Sequence, residues 1–304
     1  MGTTASITSG RNPHGAETAS RTFTGLSELE RSTGVPAANL LKVLEVELSF
    51  HSRVLTEEDS ERRRGLYREL YAAVHPLLAS DRSDSTYFER MAKLFASELR
   101  NKSVLDLGCG DGSLLRAIAK HGSPAALTGI DIHPFGQVSD GFITFTHGDV
   151  IRFTVSRPVD VAISSQVVEH LAPADLNEHV RSVRNSLVEN GTFIVLTPNR
   201  LWGPHDITRV YDFTSSNRVA AQGSHLNELT YRELMTVLHS QGFEKLTTVL
   251  PFADRLPGLR LLRLRPFLNL SIENNPSLRQ LTYFIKRRGR AVYKNPIVLI
   301  ARKA

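Results

Sequence analysis

Ser103-Val-Leu-Asp-Leu-Gly-Cys-Gly-Asp-Gly112, continued by Ser113-Leu-Leu-Arg-Ala-Ile-Ala119, decides the fold of this 304-residue chain. Apolar and β-branched positions lead into Gly108, Gly110 and Gly112, after which Leu114, Leu115, Ile118 and Ala119 recur at helical spacing. The stretch therefore predicts a strand, a tight loop and a helix. Glycines without a Cβ let a ligand approach the backbone, which puts the ligand on the loop and the helix N-terminus. A phosphate-binding loop would end in Gly-Lys-Ser/Thr, and no lysine follows Gly112; a dinucleotide fingerprint needs glycine at the position held by Ser113. Asp106, two residues ahead of the first glycine, puts negative charge where a pyrophosphate would be repelled. The pattern favours a ligand that carries an amino or sulfonium group.

Asp106-Leu-Gly108-Cys109-Gly110-Asp-Gly112 resembles the first motif of the class I S-adenosylmethionine (SAM) dependent methyltransferases, an acid followed by Gly-x-Gly-x-Gly. The later motifs fall in order. Leu127-Thr-Gly-Ile-Asp131, with Ile132 after it, is similar to the second strand, whose terminal acid accepts the ribose hydroxyls. His147-Gly-Asp149-Val150 resembles the third motif, whose acid faces the adenine amino group, and Asp160-Val-Ala-Ile-Ser-Ser165-Gln166 resembles the fourth. The resemblance implies an α/β fold with a Rossmann-like seven-stranded sheet and SAM as cofactor. It also implies that Asp106, Gly108, Cys109, Gly110, Asp131, Ile132, Asp149, Val150 and Gln166 bind that cofactor.

Composition suits a packed soluble protein: 41% of residues are hydrophobic, yet the start has no apolar signal region and no apolar run is long enough to span a membrane. A cytoplasmic location is expected. Cys109 is the single cysteine, so no intramolecular disulfide forms, and inside the glycine loop it reads as a small loop residue rather than a nucleophile. Residues 1–20, rich in Gly, Ser, Thr and Ala, are expected to form a disordered tail. Residues 21–97 read as a helical cap and 98–304 as the SAM-binding domain, with insertions on the substrate side at 200–229 and 252–295. In the cap, Leu40, Leu41, Leu44 and Leu48, then Leu66, Leu70 and Val74, recur three or four apart. Thr56-Glu-Glu-Asp59 predicts a capped helix start, with Arg62 to Arg64 toward solvent and Pro76 ending or kinking the helix. One further helix is predicted from Ser85 to Leu99. In proteins of the resembled family such a segment covers the cofactor, which makes Tyr87 and Arg90 candidates for its carboxylate.

Gln166-Val-Val-Glu169-His170-Leu171 resembles the Glu-His pair of small-molecule O-methyltransferases, including those of ubiquinone biosynthesis. His205 and His225 follow the predicted fifth strand. The carboxyl ends of parallel strands form the ligand crevice, so Glu169, His170, His205 and His225 are expected to meet at its mouth as the catalytic set. Methyl transfer is a direct displacement that needs alignment and loss of the acceptor's proton. An imidazole is suited to take that proton, His170 being the first candidate and His225 the second. Glu169, His170 and His225 are also ligand types for a divalent metal. Small-RNA 3′-end 2′-O-methyltransferases carry a similar Glu-x-x-Glu-His with a later His, but here Gln166 stands first, and a neutral amide is a poorer ligand for a hard cation. The favoured reading is O-methylation of a small organic molecule: a specialised metabolite, a sugar or a quinone-like or lipid-like acceptor. Metal-assisted RNA 2′-O-methylation and SAM binding without catalysis are the alternatives.

The sixth strand is predicted at about 245–250 and the seventh at 296–302, and the stretch between them is unusual. Over 252–295 ten Arg and Lys face only Asp254 and Glu273, an excess larger than the whole chain's net +6. Leucines and Phe267 are interleaved with these bases, and Leu278, Leu281, Phe284 and Ile285 share one helical face. Such a segment suits a lid packed on the domain or contact with an anionic membrane surface, ahead of nucleic acid as partner.

Overall fold

The computed structural model describes residues 23–78, 85–133, 141–213, 219–250, 257–281 and 296–304. The tail expected over 1–20 lies outside the described residues, as do Phe284, Ile285 and the bases Arg255, Lys286, Arg287, Arg288, Arg290 and Lys294. The chain begins with α1 (Leu26–Thr33), α2 (Ala37–Thr56), α3 (Ser60–Leu78), α4 (Ser85–Leu94) and the short α5 (Ala96–Leu99). It continues through β1 (Ser103–Leu107), α6 (Ser113–His121), β2 (Ala126–Asp131), β3 (Ile143–His147), β4 (Val159–Ser165), α7 (Pro173–Ser186) and β5 (Leu187–Thr197). After the loops that follow β5 come α8 (Tyr231–Ser240), β6 (Phe243–Thr247), α9 (Phe267–Asn274) and β7 (Ile297–Lys303). Among the described residues no helix is long and apolar enough to cross a membrane.

The seven strands form one sheet in the order β3-β2-β1-β4-β5-β7-β6, parallel except for β7, which runs antiparallel to both neighbours. This is the Rossmann-like sheet that the resemblance implies. Strand order reverses at β1, which pairs with β2 on one side and β4 on the other. A crevice opens at the carboxyl ends of strands at such a reversal. Because β4 is covered on both faces, Val161, Ala162 and Ile163 are all buried, and the strand reads as an apolar run rather than an alternation.

The structure corrects several expectations for the cap. α2 runs through Thr56, and α3 is started by Asp59, whose Oδ1 accepts the Arg62 N–H at 2.8 Å. Pro76 lies within α3, which runs two residues past it and ends at Leu78. The helix expected from Ser85 to Leu99 breaks before Phe95, whose ring is buried in the core. β6 ends at Thr247, short of the expected 250; its pairing with β7 shifts between Glu244 and Thr247, and Thr248 bridges to Leu264.

The arginine run does not all face water. Arg62 is exposed, but Arg63 is buried and forks onto Asp175 of α7, with Nε 2.8 Å from Oδ2. Arg64 places its Nε 2.7 Å from Asp149 Oδ2, and the Tyr67 hydroxyl accepts the Ala172 N–H at 2.9 Å. One face of α3 is thus fastened to the sheet domain. Replacing Arg63 with Met leaves the Asp175 carboxylate buried and unpaired, which costs about 3 kcal/mol. Urea unfolding should show that loss, while Arg62→Met should change stability by no more than about 0.5 kcal/mol.

Candidate functional site

A cavity of about 230 Å³ is lined by Gly108, Gly110, Asp131, Ile132, Asp149, Val150, Ile151, Gln166, Val167, His170 and Leu171, and by Tyr67 and Tyr71 of α3. Steric limits set the glycine loop beneath it. Gly108 has φ 69°, and a Cβ there would lie 2.5 Å from Val167 Cγ2; at Gly112, φ 83°, it would strike the Phe145 ring at 2.6 Å. Asp131, the last residue of β2, holds the loop: its Oδ2 accepts the Gly110 N–H at 2.8 Å and its Oδ1 the His133 N–H at 2.9 Å. Asp149 Oδ1 accepts the Ile151 N–H at 2.8 Å, and buried His179 donates from Nδ1 to the Val150 carbonyl at 2.7 Å, fixing that wall.

The acids of this site are crowded. Burial, and then the Asp131 charge, push Asp106 up to about 8. Burial also raises Asp131 and Asp149, against the backbone N–H groups that they accept. Carboxyls in that state ionise more readily when a cation enters, so the cavity favours a ligand with sulfonium and amino groups. The residues that line the cavity fit SAM: Asp131 would hold the ribose hydroxyls, Asp149 with Val150 and Ile151 the adenine, and Gly108 and Gly110 the amino end, with Asp106 buried behind the loop.

Four of the expected cofactor residues do not line the cavity. Asp106 is buried within β1, and the Cys109 side chain packs on Gly129, where a Cβ would meet Sγ at 2.7 Å; burial pushes its thiol up, away from reactivity. Tyr87 and Arg90 lie on α4, which packs along α6, and neither reaches the lining. Tyr67 and Tyr71 stand there instead. Their spacing of four on one helix was legible, but only packing on α7 reveals which face of α3 turns inward.

Glu169, His170 and His225 come together, each offering a ligand atom within 4.8 Å of the others. The two rings meet edge to face with centroids 4.7 Å apart. His170 Nδ1 lies 3.1 Å from the Ser224 carbonyl, which can only accept, so the proton is on Nδ1 and Nε2 keeps its lone pair. His225 Nδ1 donates to Glu228 Oε1 at 2.7 Å, again leaving Nε2 as the outward atom. Glu169 Oε2 accepts from the Thr197 hydroxyl at 2.9 Å, but its buried Oε1 has no hydrogen-bond partner among the described residues. His205 does not join this group: its Nε2 donates to the Asn199 carbonyl at 3.0 Å.

Burial and then the neighbouring His225 charge push His170 down to about 3. Burial pushes His225 the same way, but the Glu228 hydrogen bond, with Asp206 and Glu169, outweighs it and raises His225 to about 9. The opposite shifts favour the neutral form of His170 and the charged form of His225.

A strap over 222–227 holds both histidines. Thr208 Oγ1 accepts the Gln222 N–H, Asp206 Oδ2 that of Gly223, and Glu47 Oε2 that of Ser224, at 2.8, 2.7 and 2.7 Å. The Glu169 carbonyl accepts the next two, from Leu226 and Asn227. Only glycine fits at 223, since a Cβ would lie 2.3 Å from Glu47 Oε2. Glu47 comes from α2 and was not singled out in the sequence. The signal was an acid on the helix's buried stripe of Leu40, Val43, Leu44, Phe50 and Val54.

A family described as a methyltransferase domain matches residues 78–248. The chain is 31% identical to trans-aconitate 2-methyltransferase of Klebsiella pneumoniae (strain 342) over 119 residues, 37% of this chain and 46% of that protein. It is 26% identical to the mitochondrial ubiquinone biosynthesis O-methyltransferase of Schizosaccharomyces pombe (strain 972) over 179 residues, 53% of this chain and 62% of that one. The chain thus spans about half the length of the curated relatives it matches. A crystal structure of an S-adenosylmethionine dependent methyltransferase from Mesorhizobium loti aligns over 71% of this chain and 98% of its own, at 19% identity and a TM-score of 0.45.

Burial, then Asp206, raises Glu47 from 4.5 to about 7. A carboxyl raised on folding stabilises fully below its unfolded value, and that stability is lost as the pH rises through the folded value. Glu47→Gln keeps an acceptor for Ser224 and removes the titration. Between about pH 5 and pH 8 the variant should therefore gain on the order of 2–3 kcal/mol relative to the parent in urea unfolding. Parallel pH profiles would count against this account.

Proposed function

The chain belongs to the methyltransferase-domain family, and from that membership we propose that it transfers the methyl group of SAM to a hydroxyl oxygen of a small organic molecule, with His170 taking the acceptor's proton. The observation that carries this reading is that His170 alone of the three candidate histidines lines the cavity, and does so with Nε2 unprotonated. When bound, SAM supplies a methyl carbon activated by its sulfonium leaving group. Asp131, Asp149 and the glycine loop hold the cofactor, and Tyr71, edge-on to His170 with centroids 6.4 Å apart, walls the space beside the base. A hydroxyl oxygen that gains a methyl becomes a protonated ether, and the proton of that species is acidic enough for an imidazole held near pKa 3 to take. The Ser224 carbonyl keeps Nδ1 protonated, so the proton arrives at Nε2. His225, already charged and paired with Glu228, is a positive neighbour rather than the base.

The orphaned Glu169 Oε1 supports a second reading of the same site. With the Nε2 atoms of His170 and His225 it forms a donor set of one carboxylate and two imidazoles, and each imidazole has its other nitrogen held by a carbonyl or carboxylate. Those residues would hold a divalent ion, which supplies Lewis-acid charge to an acceptor hydroxyl.

The test is methyl transfer from radiolabelled SAM to phenolic, sugar and polyhydroxylated acceptors, alongside calorimetric SAM binding. His170→Ala should lower kcat by about 10²–10³-fold with SAM affinity retained. Undiminished kcat would overturn the base assignment. Stoichiometric Mg²⁺, Mn²⁺ or Zn²⁺ binding that disappears in His225→Ala would support the metal reading, and turnover indifferent to EDTA would remove it.

A further inference from the structure

Most of the large apolar side chains left exposed lie in one short segment. Phe267 is 78% exposed, Leu261 74%, Leu281 54% and Leu268 51%, with Leu262, Leu264 and Leu278 also exposed. The other such residues among those described, Leu55, Leu78, Phe142 and Val188, stand at four separate places, which is ordinary for a protein surface. Seven exposed apolar side chains within residues 261–281 are not ordinary.

The segment is held against the domain. Arg263 forks onto Glu98 at 2.7 and 2.8 Å and donates to the Leu94 carbonyl at 2.8 Å. Thr248 and Leu264 exchange both backbone hydrogen bonds, at 2.7 and 2.9 Å. The Glu273 carboxylate accepts the N–H groups of Tyr231 and Arg232, and α9 buries Asn269 and Ile272 while Phe267 and Leu268 face outward. α9 thus packs Ile272 and Leu270 on the domain and, although anchored, still leaves Phe267 and Leu268 facing water.

Charge identifies the occupant. Arg265 is exposed among these apolar residues and Arg260 and Arg279 lie half-buried beside them, so the described segment is basic, while Glu273, its acid among the described residues, is turned inward. A second copy of the chain meeting itself here would set basic surface against basic surface. An anionic bilayer accepts both features, since the apolar side chains enter the acyl boundary and the arginines meet lipid phosphates. The position agrees: β7 begins at Ile297, opposite Thr197 at the carboxyl end of β5, so β6 and β7 are joined at the sheet end where the cavity opens.

We propose that the 261–281 surface docks on an anionic phospholipid bilayer, presenting the mouth of the cavity to acceptors held at that interface. The inference stands independently of the acceptor atom. It is tested with the full chain by sedimentation with vesicles of phosphatidylcholine alone and of phosphatidylcholine with phosphatidylglycerol, at low and high salt. The chain should sediment with the anionic vesicles only, and high salt should weaken that binding. Phe267→Glu with Leu268→Glu should reduce the bound fraction about tenfold, and Arg265→Glu should reduce it less. Calorimetric SAM binding and circular dichroism unchanged in the variants show that the fold is intact. Failure to sediment with anionic vesicles, equal sedimentation with both kinds, or a dimer in ultracentrifugation that Phe267→Glu dissolves would each overturn the proposal.

Discussion

The peptide group of Ser224 is held from both sides: its N–H by the Glu47 carboxylate of α2 and its carbonyl oxygen by His170 of the loop after β4. A carbonyl has no proton to give, so this contact selects the His170 tautomer and, with it, the nitrogen that faces the cavity. Glu47 belongs to the cap, and the strap that it pins also carries His225. The helical segment ahead of the glycine loop is therefore part of the site's electrostatics, not merely a cover over it.

The same cap is tied a second time, through α3. Arg63 reaches Asp175, Arg64 reaches Asp149 and Tyr67 reaches the start of α7, so one helix face touches both Asp149 of the cavity wall and the element that follows the Glu-His pair. Tyr71, one turn further on, faces the cavity. Entry of a ligand into this space must be accommodated by α3, because two of its aromatic side chains are part of the wall.

What the sequence made legible was local. Gly108 to Gly112 and the apolar positions after them specify a loop and a helix through steric and periodic rules that act within a few residues, and the structure holds them as read. Glu169, His170 and His225 were legible as residue types. What was not legible depends on partners far along the chain. Nothing near Arg63 says that Asp175, over a hundred residues away, will claim it, and nothing near His205 says that Asn199 will hold its ring away from the other histidines. Tyr87 and Tyr71 are both helical aromatics, and only the packing of α4 on α6 and the hydrogen bonds joining α3 to Asp175 and Ala172 separate the one outside the cavity from the one inside.

The buried charges behind the cavity explain why protonation and metal binding are competing accounts of one arrangement. Glu47, Glu169, Asp206 and Glu228 are all buried close to His225, and the other buried cation beside them is Arg209, which burial pushes down to about 10 against Glu228 and Asp206. Four carboxyls with one guanidinium and one imidazole carry an excess of negative charge that a low-dielectric interior does not tolerate. In the absence of a metal the cluster answers with protons: burial holds Glu47 and Glu169 near 7, and the carboxylates keep His225 charged to about 9. A divalent ion on Glu169, His170 and His225 would supply the missing positive charge and release protons from the same groups. Either way, the excess of buried acid is balanced by positive charge at the contact between His225 and His170, the residue of that pair that lines the cavity.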